Sequence, residues 1–331
     1  MKTPHKHNLD LVRATAPSMR YTGGEPFEDW QARARAKLAD LLGMDKFAPC
    51  DEEFTVEYVR DSEEKGIKFK ETRFTIQTEE GYVMPCHFCV PEGKTKAPVA
   101  VCIQGHTAGM HHSLGRTKAE GATIVVDDDF ALKAMREGYC ALVLEQRNFG
   151  EASSDRIHGT WCHLSSMAAM LVGRTTNGER VWDTMRAIDA LRHFPEADRR
   201  KILCMGNSGG GMTTLFVSCL EPRITHSMVC GYLCSFDYSI AAMYHCACNF
   251  VPHMREFFDC GDIAGMIAPR PLVVVAGDKD DIFPIEGVYK AFETVRELYA
   301  AAGAEGKVKL VVGEGGHRVF AKLAWGELAK M

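Results

Sequence analysis

The stretch around Ser208 combines residue types that suit a serine nucleophile. Residues 204–218 read CMGNSGGGMTTLFVS, so an apolar run ends at one serine, glycines follow, and a helix-like run begins at once. Residues 206–210 match the pattern G-x-S-x-G between a strand-like and a helix-like segment, which is the context of a nucleophile elbow. Such a turn holds the serine hydroxyl above the edge of a sheet. We therefore predict that Ser208 is a nucleophile, with a flexible glycine-rich loop as the alternative.

A serine hydroxyl is a weak nucleophile until a base takes its proton, so this hypothesis requires a histidine and an acid. In folds with an elbow of this kind, the acid and the histidine both follow the serine in the chain, each just after a later strand. The last apolar run, in KVKLVVGEGGHRVF, ends at a Gly-Gly turn that is followed by His317. We predict that His317 is the catalytic base, and an exposed loop histidine is the alternative.

Three aspartates compete for the role of the acid. They follow the apolar run PLVVVAG at positions Asp278, Asp280 and Asp281. Asp278 is close enough to the strand end to cap the turn, and Asp281 is placed to cap the next element of the chain. We favour Asp280, because its position puts it on the loop rather than on the strand, and we keep the other two open.

An acyl-transfer site also needs donors for an oxyanion. The backbone N–H of Gly209, next to the serine, is one predicted donor. The second is expected in VAVCIQGHTAGMHHSLG, with the N–H of His106 as the best candidate and that of Thr107 next. Further along, His111 and His112 fit either the mouth of a pocket or a solvated loop.

The elements around these residues indicate an α/β fold. From position 54 apolar and polar residues alternate in FTVEYV, IKFKETRFTIQT and YVMPCHFCV, which indicates an antiparallel start. We predict a lead of two antiparallel strands before strands and helices begin to alternate. Later runs are short and nearly continuously apolar, which is typical of parallel strands buried on both faces. These runs are APVAVCIQG, YCALVLE, KILCMG, HSMVCGYL, PLVVVAG and KVKLVVGEG. We predict a mixed, mostly parallel sheet with helices on both faces.

Apolar spacing predicts helices between the strands, over residues 128–137, 179–194, 210–220 and 286–301. A further helix is predicted in FEDWQARARAKLADLLG, with Gly43 as its C-cap. We assign residues 1–50 to an N-terminal helical arm and residues 51–331 to the catalytic domain.

Two stretches, at about 146–178 and 236–268, do not fit the alternation and are predicted insertions at the carboxyl ends of strands. Ligands bind at that edge of open α/β sheets. In the first insertion Arg147 and Glu151 are expected to support the site through ion pairing rather than to touch substrate.

Metal and cofactor motifs are weak. In CHFC, Cys86 and His87 face opposite sides of an alternating strand, which argues against a shared metal. In HCACNFVPH, zinc ligands are conceivable at His245, Cys246, Cys248 and His253, but no second pair matches them, so buried thiols near a pocket are preferred. No phosphate-binding glycine motif occurs. We expect neither a metal nor a cofactor.

Composition excludes several classes of function. Of the 331 residues 46% are hydrophobic and 25% charged, and the net charge of −5 comes without a basic run, so neither nucleic acid nor a membrane is an expected partner. The first residues lack the apolar segment of a signal peptide. The 13 cysteines are scattered, many within apolar strands, which fits reduced thiols. We expect a cytoplasmic protein with a small-molecule ester as substrate, and leave a homo-oligomer open.

The chain resembles the α/β-hydrolase superfamily and, within it, the acetyl xylan esterase-like and dienelactone hydrolase-related branch. The resemblance covers most of the chain from about residue 27. It is carried by FEDWQARARAKLADLLG, QGHTAGMHHSLG, EQRNFGE, GRTTNGERVWDTMRAIDAL, GNSGGG, IAPRPLVVVAGDKDDIFP and GGHRVF. It implies an α/β-hydrolase fold, a Ser-Asp-His triad at Ser208, Asp280 and His317, and hydrolysis of short acyl esters without a cofactor.

This chain departs from parts of that branch. Dienelactone hydrolases proper carry cysteine where this chain has Ser208, and esterases that act on polysaccharide outside the cell carry an export signal. We therefore expect a soluble, imported ester as substrate. Esters of carbohydrates belong to the expected substrates. A peptidase or other acyl hydrolase of the same fold is one alternative function, and a non-catalytic binding protein is another.

Overall fold

The computed structural model describes residues 1–51, 53–116, 127–153 and 161–331. In this part of the chain nine strands form one sheet in the order β1-β2-β3-β5-β4-β6-β7-β8-β9. The strands are β1 (Phe54–Glu64), β2 (Ile67–Glu79), β3 (Tyr82–Pro91), β4 (Ala97–Ile103), β5 (Cys140–Leu144), β6 (Ala197–Asn207), β7 (His226–Cys230), β8 (Leu272–Gly277) and β9 (Val308–Gly313).

The sheet is mixed, as predicted, but its antiparallel lead contains three strands instead of two. Strand β2 pairs antiparallel with β1 on one side and with β3 on the other, and β3 also pairs antiparallel with β5. All pairs from β4 to β9 are parallel. The turn before β2 has positive φ at Lys65 and Gly66, the geometry that lets two antiparallel strands join directly.

Ten α-helices lie in the described ranges. They are α1 (Pro4–Ala14), α2 (Phe27–Leu42), α3 (Phe130–Arg136), α4 (His163–Leu171), α5 (Thr176–Ala190), α6 (Gly209–Leu220), α7 (Met254–Phe257), α8 (Cys260–Gly265), α9 (Ile285–Ala301) and α10 (Ala321–Leu328). Helices α2, α3, α5, α6 and α9 were predicted. Helices α4, α7 and α8 lie within the two predicted insertions. Residues 154–160 of the first insertion lie outside the described residues.

Helix α2 packs on the main body of the molecule. Trp30, Ala34 and Leu38 are buried in the same apolar core as the sheet, and Gly43 ends the helix in the left-handed region at φ 73°. The boundary of a separate arm at residue 50 stays a prediction. None of the helices in the described ranges is long and apolar enough to cross a bilayer.

Two apolar cores lie on opposite faces of the sheet. Cys86 belongs to the core that includes α2 and α9, whereas Cys89 belongs to the core that includes α3 and α10. Because side chains alternate along a strand, the thiols of CHFC cannot meet one metal ion. All parallel strands end at the same edge of the sheet, and that edge carries the candidate site.

Candidate active site

Ser208 occupies a strained turn between β6 and α6. Its φ of 56° and ψ of −120° lie in a region that side-chain-bearing residues rarely adopt. The turn is held on both sides: the Ser208 N–H donates to the carbonyl oxygen of Cys230 at 3.0 Å, and the Ser208 carbonyl accepts from Met212 at 2.8 Å. The serine therefore sits directly before the first turn of α6, as the elbow motif predicts.

The glycines around Ser208 are required by close packing. A Cβ on Gly206 would lie 2.5 Å from the carbonyl oxygen of Gly210, and one on Gly210 would lie 2.0 Å from that of Ile103. A Cβ on Gly211 would lie 2.4 Å from the carbonyl oxygen of Cys230 on the next strand. Any side chain at these positions would push helix α6 off the sheet.

His317 and Asp280 meet at the ends of β9 and β8. Nδ1 of His317 lies 2.7 Å from Oδ2 of Asp280. The other oxygen, Oδ1, accepts from the N–H groups of Ile282 at 2.9 Å and Phe283 at 3.0 Å. Burial by itself would raise the pKa of Asp280, but the hydrogen bond and charge of His317 and these two N–H groups outweigh it, so the pKa lies below its ordinary value.

The two other aspartates do not reach His317. Oδ1 of Asp278 accepts from the N–H of Gly315 at 2.7 Å, which ties together the two loops of the site as the predicted turn cap. Asp281 is exposed, and helix α9 starts without a side-chain cap, so the expected capping role is not seen.

The ring of His317 is held next to the elbow. A Cβ on Gly231 would lie 2.8 Å from Cε1 of His317, and Gly231 directly follows Cys230, the residue that accepts from Ser208. Phe283 stacks on the imidazole with centroids 5.6 Å apart. Nε2 of His317 is buried and has no hydrogen-bond partner among the described residues. The ring thus has one nitrogen committed to Asp280 and one left to act on another group.

The loop after β4 approaches the elbow closely. A Cβ on Gly105 would lie 3.0 Å from Cβ of Ser208. The N–H of Thr107 donates to the carbonyl of Gly105 at 2.8 Å, so Thr107 is not available as a donor. The backbone N–H groups of His106 and Gly209 have no acceptor within the described part of the chain, which leaves both predicted oxyanion donors available.

Two histidines of the same loop, for which a pocket mouth or a solvated loop was expected, lie in neither place. His111 and His112 are buried, with 3% and 2% of their surface exposed, and lie neither at a pocket mouth nor on a solvated loop. Nε2 of His111 lies 2.7 Å from Glu151. They belong to the packing beneath the site.

The charged residues of the first insertion form supporting ion pairs, as predicted. Nε of Arg147 lies 2.7 Å from Asp183, and Arg147 also pairs with Glu79. Glu151 pairs with Arg73 instead of Arg147. These contacts fix the loop that follows β5.

Glu145, at the end of β5, is a buried clamp that the sequence analysis did not single out. Its Oε1 accepts from Nε2 of Gln104 at 2.9 Å and from the N–H of Met110 at 3.0 Å, while Oε2 accepts from the N–H of Glu151 at 3.1 Å. Burial raises the pKa of Glu145 to about 8. Since Gln104 precedes the loop of His106, this carboxyl group positions that loop.

Asp128 is a second buried carboxyl group that sequence reasoning missed, and no motif marks it. It is 1% exposed and interacts with Asn207 of the elbow and with His317. Burial raises its pKa to about 7, because the positive charge of His317 and the hydrogen bond of Asn207 offset only part of the desolvation.

A pocket of about 610 Å³ opens beside His106. Its wall is rich in aromatic and sulfur-containing side chains, and it includes Trp161, Met170, Tyr244 and Phe250. The aromatic members are exposed, Tyr244 to 95%. The pocket reaches the elbow through His106, because a Cβ on Gly209 would lie 2.8 Å from Nδ1 of that ring.

The chain resembles known proteins in sequence and in fold. The model of the Abhydrolase family matches residues 10–309. The chain is 26% identical over 294 residues to the Bacillus subtilis (strain 168) protein named "Putative hydrolase YtaP", a match that covers 87% of this chain and 94% of that protein.

The fold is similar to that of several solved structures. One, described as a "putative acetyl xylan esterase" from Bacteroides fragilis NCTC 9343, has a TM-score of 0.78 at 18% identity and covers 94% of this chain and 82% of its own. A glucuronoyl esterase from Solibacter usitatus has a TM-score of 0.65 at 15% identity and covers 95% of this chain and 97% of its own. The family model matches most of the chain, and the order of the nine strands agrees with it. The chain therefore belongs to the Abhydrolase family and is a hydrolase of the α/β-hydrolase fold.

Proposed function

We propose that the protein is a serine carboxylic-ester hydrolase that acts on esters of short acyl groups, with Ser208 as nucleophile, His317 as base and Asp280 as acid. The observation that carries this proposal is the convergence of three strand ends. A serine in a strained turn and an Asp280–His317 pair at 2.7 Å come to one edge of the sheet. This is the arrangement that acyl transfer through a serine requires.

The first half of the reaction forms an acyl-enzyme. Asp280 stays ionised because its pKa is low, and it holds the proton of His317 on Nδ1, so Nε2 carries the free lone pair. Nε2 takes the proton of the Ser208 hydroxyl as Oγ attacks the ester carbonyl carbon. The oxyanion accepts hydrogen bonds from the N–H groups of His106 and Gly209. His317 then protonates the alcohol oxygen, the ester bond breaks and the alcohol leaves.

The second half releases the acid. His317 removes a proton from a water molecule, whose oxygen attacks the acyl carbon bound to Ser208. The tetrahedral intermediate collapses when the proton returns from His317 to Oγ of Ser208. The products are one carboxylic acid and one alcohol per ester, and the enzyme is restored without an external oxidant or reductant.

A carbohydrate is the proposed alcohol part of the substrate. One of the similar solved structures is described as a "putative acetyl xylan esterase", a name that places the carbohydrate in the alcohol part of the ester. Exposed aromatic side chains at Trp161, Tyr244 and Phe250 surround the pocket beside His106, and flat aromatic faces suit the apolar face of a sugar ring. We place the sugar there and the short acyl group at the elbow.

The proposed compartment is the cytoplasm. None of the 13 cysteines forms a disulfide. Unoxidised cysteines in this number persist in a reducing compartment, which supports the proposal.

A fluorophosphonate probe tests the nucleophile. We expect stoichiometric labelling of the wild type and none of Ser208→Ala, with Ser153→Ala, a serine outside the elbow, labelled like the wild type. Equal labelling of wild type and Ser208→Ala would contradict the proposal, and so would no labelling of either, which is the outcome expected for a binding protein.

A panel of p-nitrophenyl esters of rising acyl length tests the substrate class. We expect the highest kcat/KM for acetate and a steep fall for longer acyl groups. A preference for long acyl groups would overturn the short-acyl assignment. Cleavage of peptide anilides at comparable rates would favour the peptidase alternative.

A further inference from the structure

Four metal-ligating side chains meet beside the elbow, although they lie far apart in the sequence. His106, Cys162, Cys246 and Cys248 place one ligand atom each so that all four atoms lie within 4.8 Å of one another. Nε2 of His106 is 3.2 Å from Sγ of Cys248. Cys162 precedes α4 in the first insertion, and the two other cysteines lie in the second.

The spacing of these atoms suits a tetrahedral zinc ion. Zinc binds thiolate sulfur at about 2.3 Å and imidazole nitrogen at about 2.0–2.1 Å, so neighbouring ligand atoms around it lie about 3.5–3.8 Å apart. Separations of up to 4.8 Å need to contract by about 1 Å, and the 3.2 Å between His106 and Cys248 needs to widen by about 0.3–0.4 Å, to reach this geometry. A Cys₃His set is one of the usual ligand sets of structural zinc.

A buried cation next to the cluster points to the same conclusion. Arg180 is 1% exposed, and its Nη2 lies 3.4 Å from Sγ of Cys162 and 2.8 Å from the carbonyl oxygen of Arg147. Its Nε and Nη1 have no hydrogen-bond partner within the described ranges. None of the described carboxylates pairs with this guanidinium, and a buried charge without a counter-charge is costly.

Zinc would resolve this imbalance. Three thiolates, one neutral imidazole and one Zn²⁺ carry a net charge of −1. That charge offsets the single positive charge of Arg180, which already directs one N–H toward Cys162. Three neutral thiols at the same place would leave the guanidinium without a negative partner among the described residues, with only the ring of Phe149 stacked on it at 4.2 Å.

We propose that His106, Cys162, Cys246 and Cys248 form a structural zinc site that fastens the two insertions to the loop of His106. Each thiol that binds the ion releases its proton, so up to three protons leave for each Zn²⁺ bound, and no group is oxidised or reduced. The protein supplies all four ligands, which marks a structural and not a catalytic site.

The neighbouring histidines are committed elsewhere. Nε2 of His245 lies 3.0 Å from Oγ of Ser239, and His253 is exposed and pairs with Glu256 at 2.8 Å. The pair Cys246 and Cys248 therefore finds its partners outside the local sequence. The proposal differs from the expectation of a chain without a metal.

The site has a consequence for the elbow. Nε2 of His106 faces the cluster, while Nδ1 faces Gly209. A zinc ion on Nε2 places the proton on Nδ1 and holds the ring against the start of α6. The backbone N–H of the same residue is the oxyanion donor of the proposed function; the zinc site itself does not depend on that function.

Metal analysis of the tag-free protein, purified without chelators, tests the site. We expect one zinc per chain by elemental mass spectrometry in the wild type and in Ser208→Ala. Cys246→Ser and Cys248→Ser should lose the zinc, and Cys50→Ser, whose half-buried thiol lies outside the cluster, should retain it. Retention of zinc by both cluster variants would overturn the proposal, as would stoichiometric amounts of another metal.

Cobalt substitution keeps the test independent of the folding of these variants. Metal-free wild type titrated with Co²⁺ should develop the visible bands of tetrahedral cobalt and a sulfur-to-metal charge-transfer band, saturating at one ion per chain. Wild type that shows neither zinc nor these bands overturns the proposal. Since Ser208→Ala is expected to be inactive and zinc-loaded, failure of the zinc site and failure of the esterase assignment give different results.

Discussion

Nδ1 of His317 and Oδ2 of Asp280 lie 2.7 Å apart, although the residues are separated by 37 positions and stand at the ends of neighbouring strands. The carboxylate is the better oriented of the two, because its second oxygen is fixed by two backbone N–H groups. The imidazole is therefore held in one tautomer by a carboxylate that is itself fixed by backbone hydrogen bonds. Asp278, only two residues earlier, binds a backbone N–H instead.

The first prediction separates these two aspartates. Asp280→Asn should lower kcat by about 1,000- to 10,000-fold, because the amide cannot hold the proton on Nδ1 or offset the charge of the imidazolium. Asp278→Asn should change kcat little, since its remaining side-chain oxygen still accepts from Gly315. Steady-state kinetics on p-nitrophenyl acetate measure both. A large loss in Asp278→Asn with near-normal Asp280→Asn would reverse the assignment of the acid.

A second prediction concerns the packing of the elbow. Gly210→Ala should destabilise the fold by about 3 kcal/mol or more, because the new Cβ meets a backbone carbonyl oxygen that cannot rotate away. Gly326→Ala is the matched control: a Cβ there meets nothing within 4 Å, and helix α10 should gain up to about 1 kcal/mol. Urea denaturation measures the free energy of unfolding of both. A stable Gly210→Ala would mean that α6 does not rest on the sheet as closely as described.

Asp128 gives a prediction on pH. Its carboxyl group keeps a proton up to about pH 7 in the folded chain and loses it near its ordinary pKa of about 4 in the unfolded chain. Between these values the folded state binds more protons, so this group makes the protein less stable as the pH rises from about 4 to 7. The charged groups that face it are His317, Lys133 and Asp129.

The measurement compares Asp128→Asn with the wild type by thermal denaturation across this range of pH. The difference in stability should shift in favour of the variant as the pH rises, because the amide does not titrate. Asp61→Asn, at an exposed position on β1, should follow the wild type at every pH. Parallel curves for Asp128→Asn and the wild type would show that the carboxyl group does not titrate in this range.

A fourth prediction tests the clamp at Glu145. The two side-chain oxygens of Glu145 accept from three donors. In Glu145→Gln one of these oxygens becomes an NH₂ group, which faces at least one of the donors and cannot accept from it. A buried donor without an acceptor costs about 1–3 kcal/mol. We expect a lower melting temperature and a fall in kcat of about tenfold or more, with KM nearly unchanged, because the loop of His106 loses its position. Glu63→Gln, on the exposed side of β1, controls for the replacement of a carboxyl group by an amide.

Local patterns in the sequence were sufficient for most of the fold. The buried strands appear as short apolar runs, and helices α2, α5, α6 and α9 show apolar faces at helical spacing, because burial of one face leaves a periodic trace. Strand β3 was predicted with β1 and β2 in the antiparallel start, but the lead was counted as two strands instead of three, since pairing partners leave no trace in one strand. Helices α1, α4, α7, α8 and α10 were missed; α7 and α8 are only four and six residues long, and α4 packs on α5 instead of on the sheet.

The sequence by itself determined the α/β fold and the tight turn at Ser208, because these depend on residues within a few positions of one another. It also determined the order in which an acid and a histidine follow the serine, because that order is read along the chain. Only the tertiary structure decided which aspartate meets His317, that Asp128 and Glu145 are buried beneath the loops, and that His106 and Cys162 join Cys246 and Cys248. These contacts join residues up to 142 positions apart. They depend on how the sheet brings loop ends together, and spacing along the chain carries no record of that.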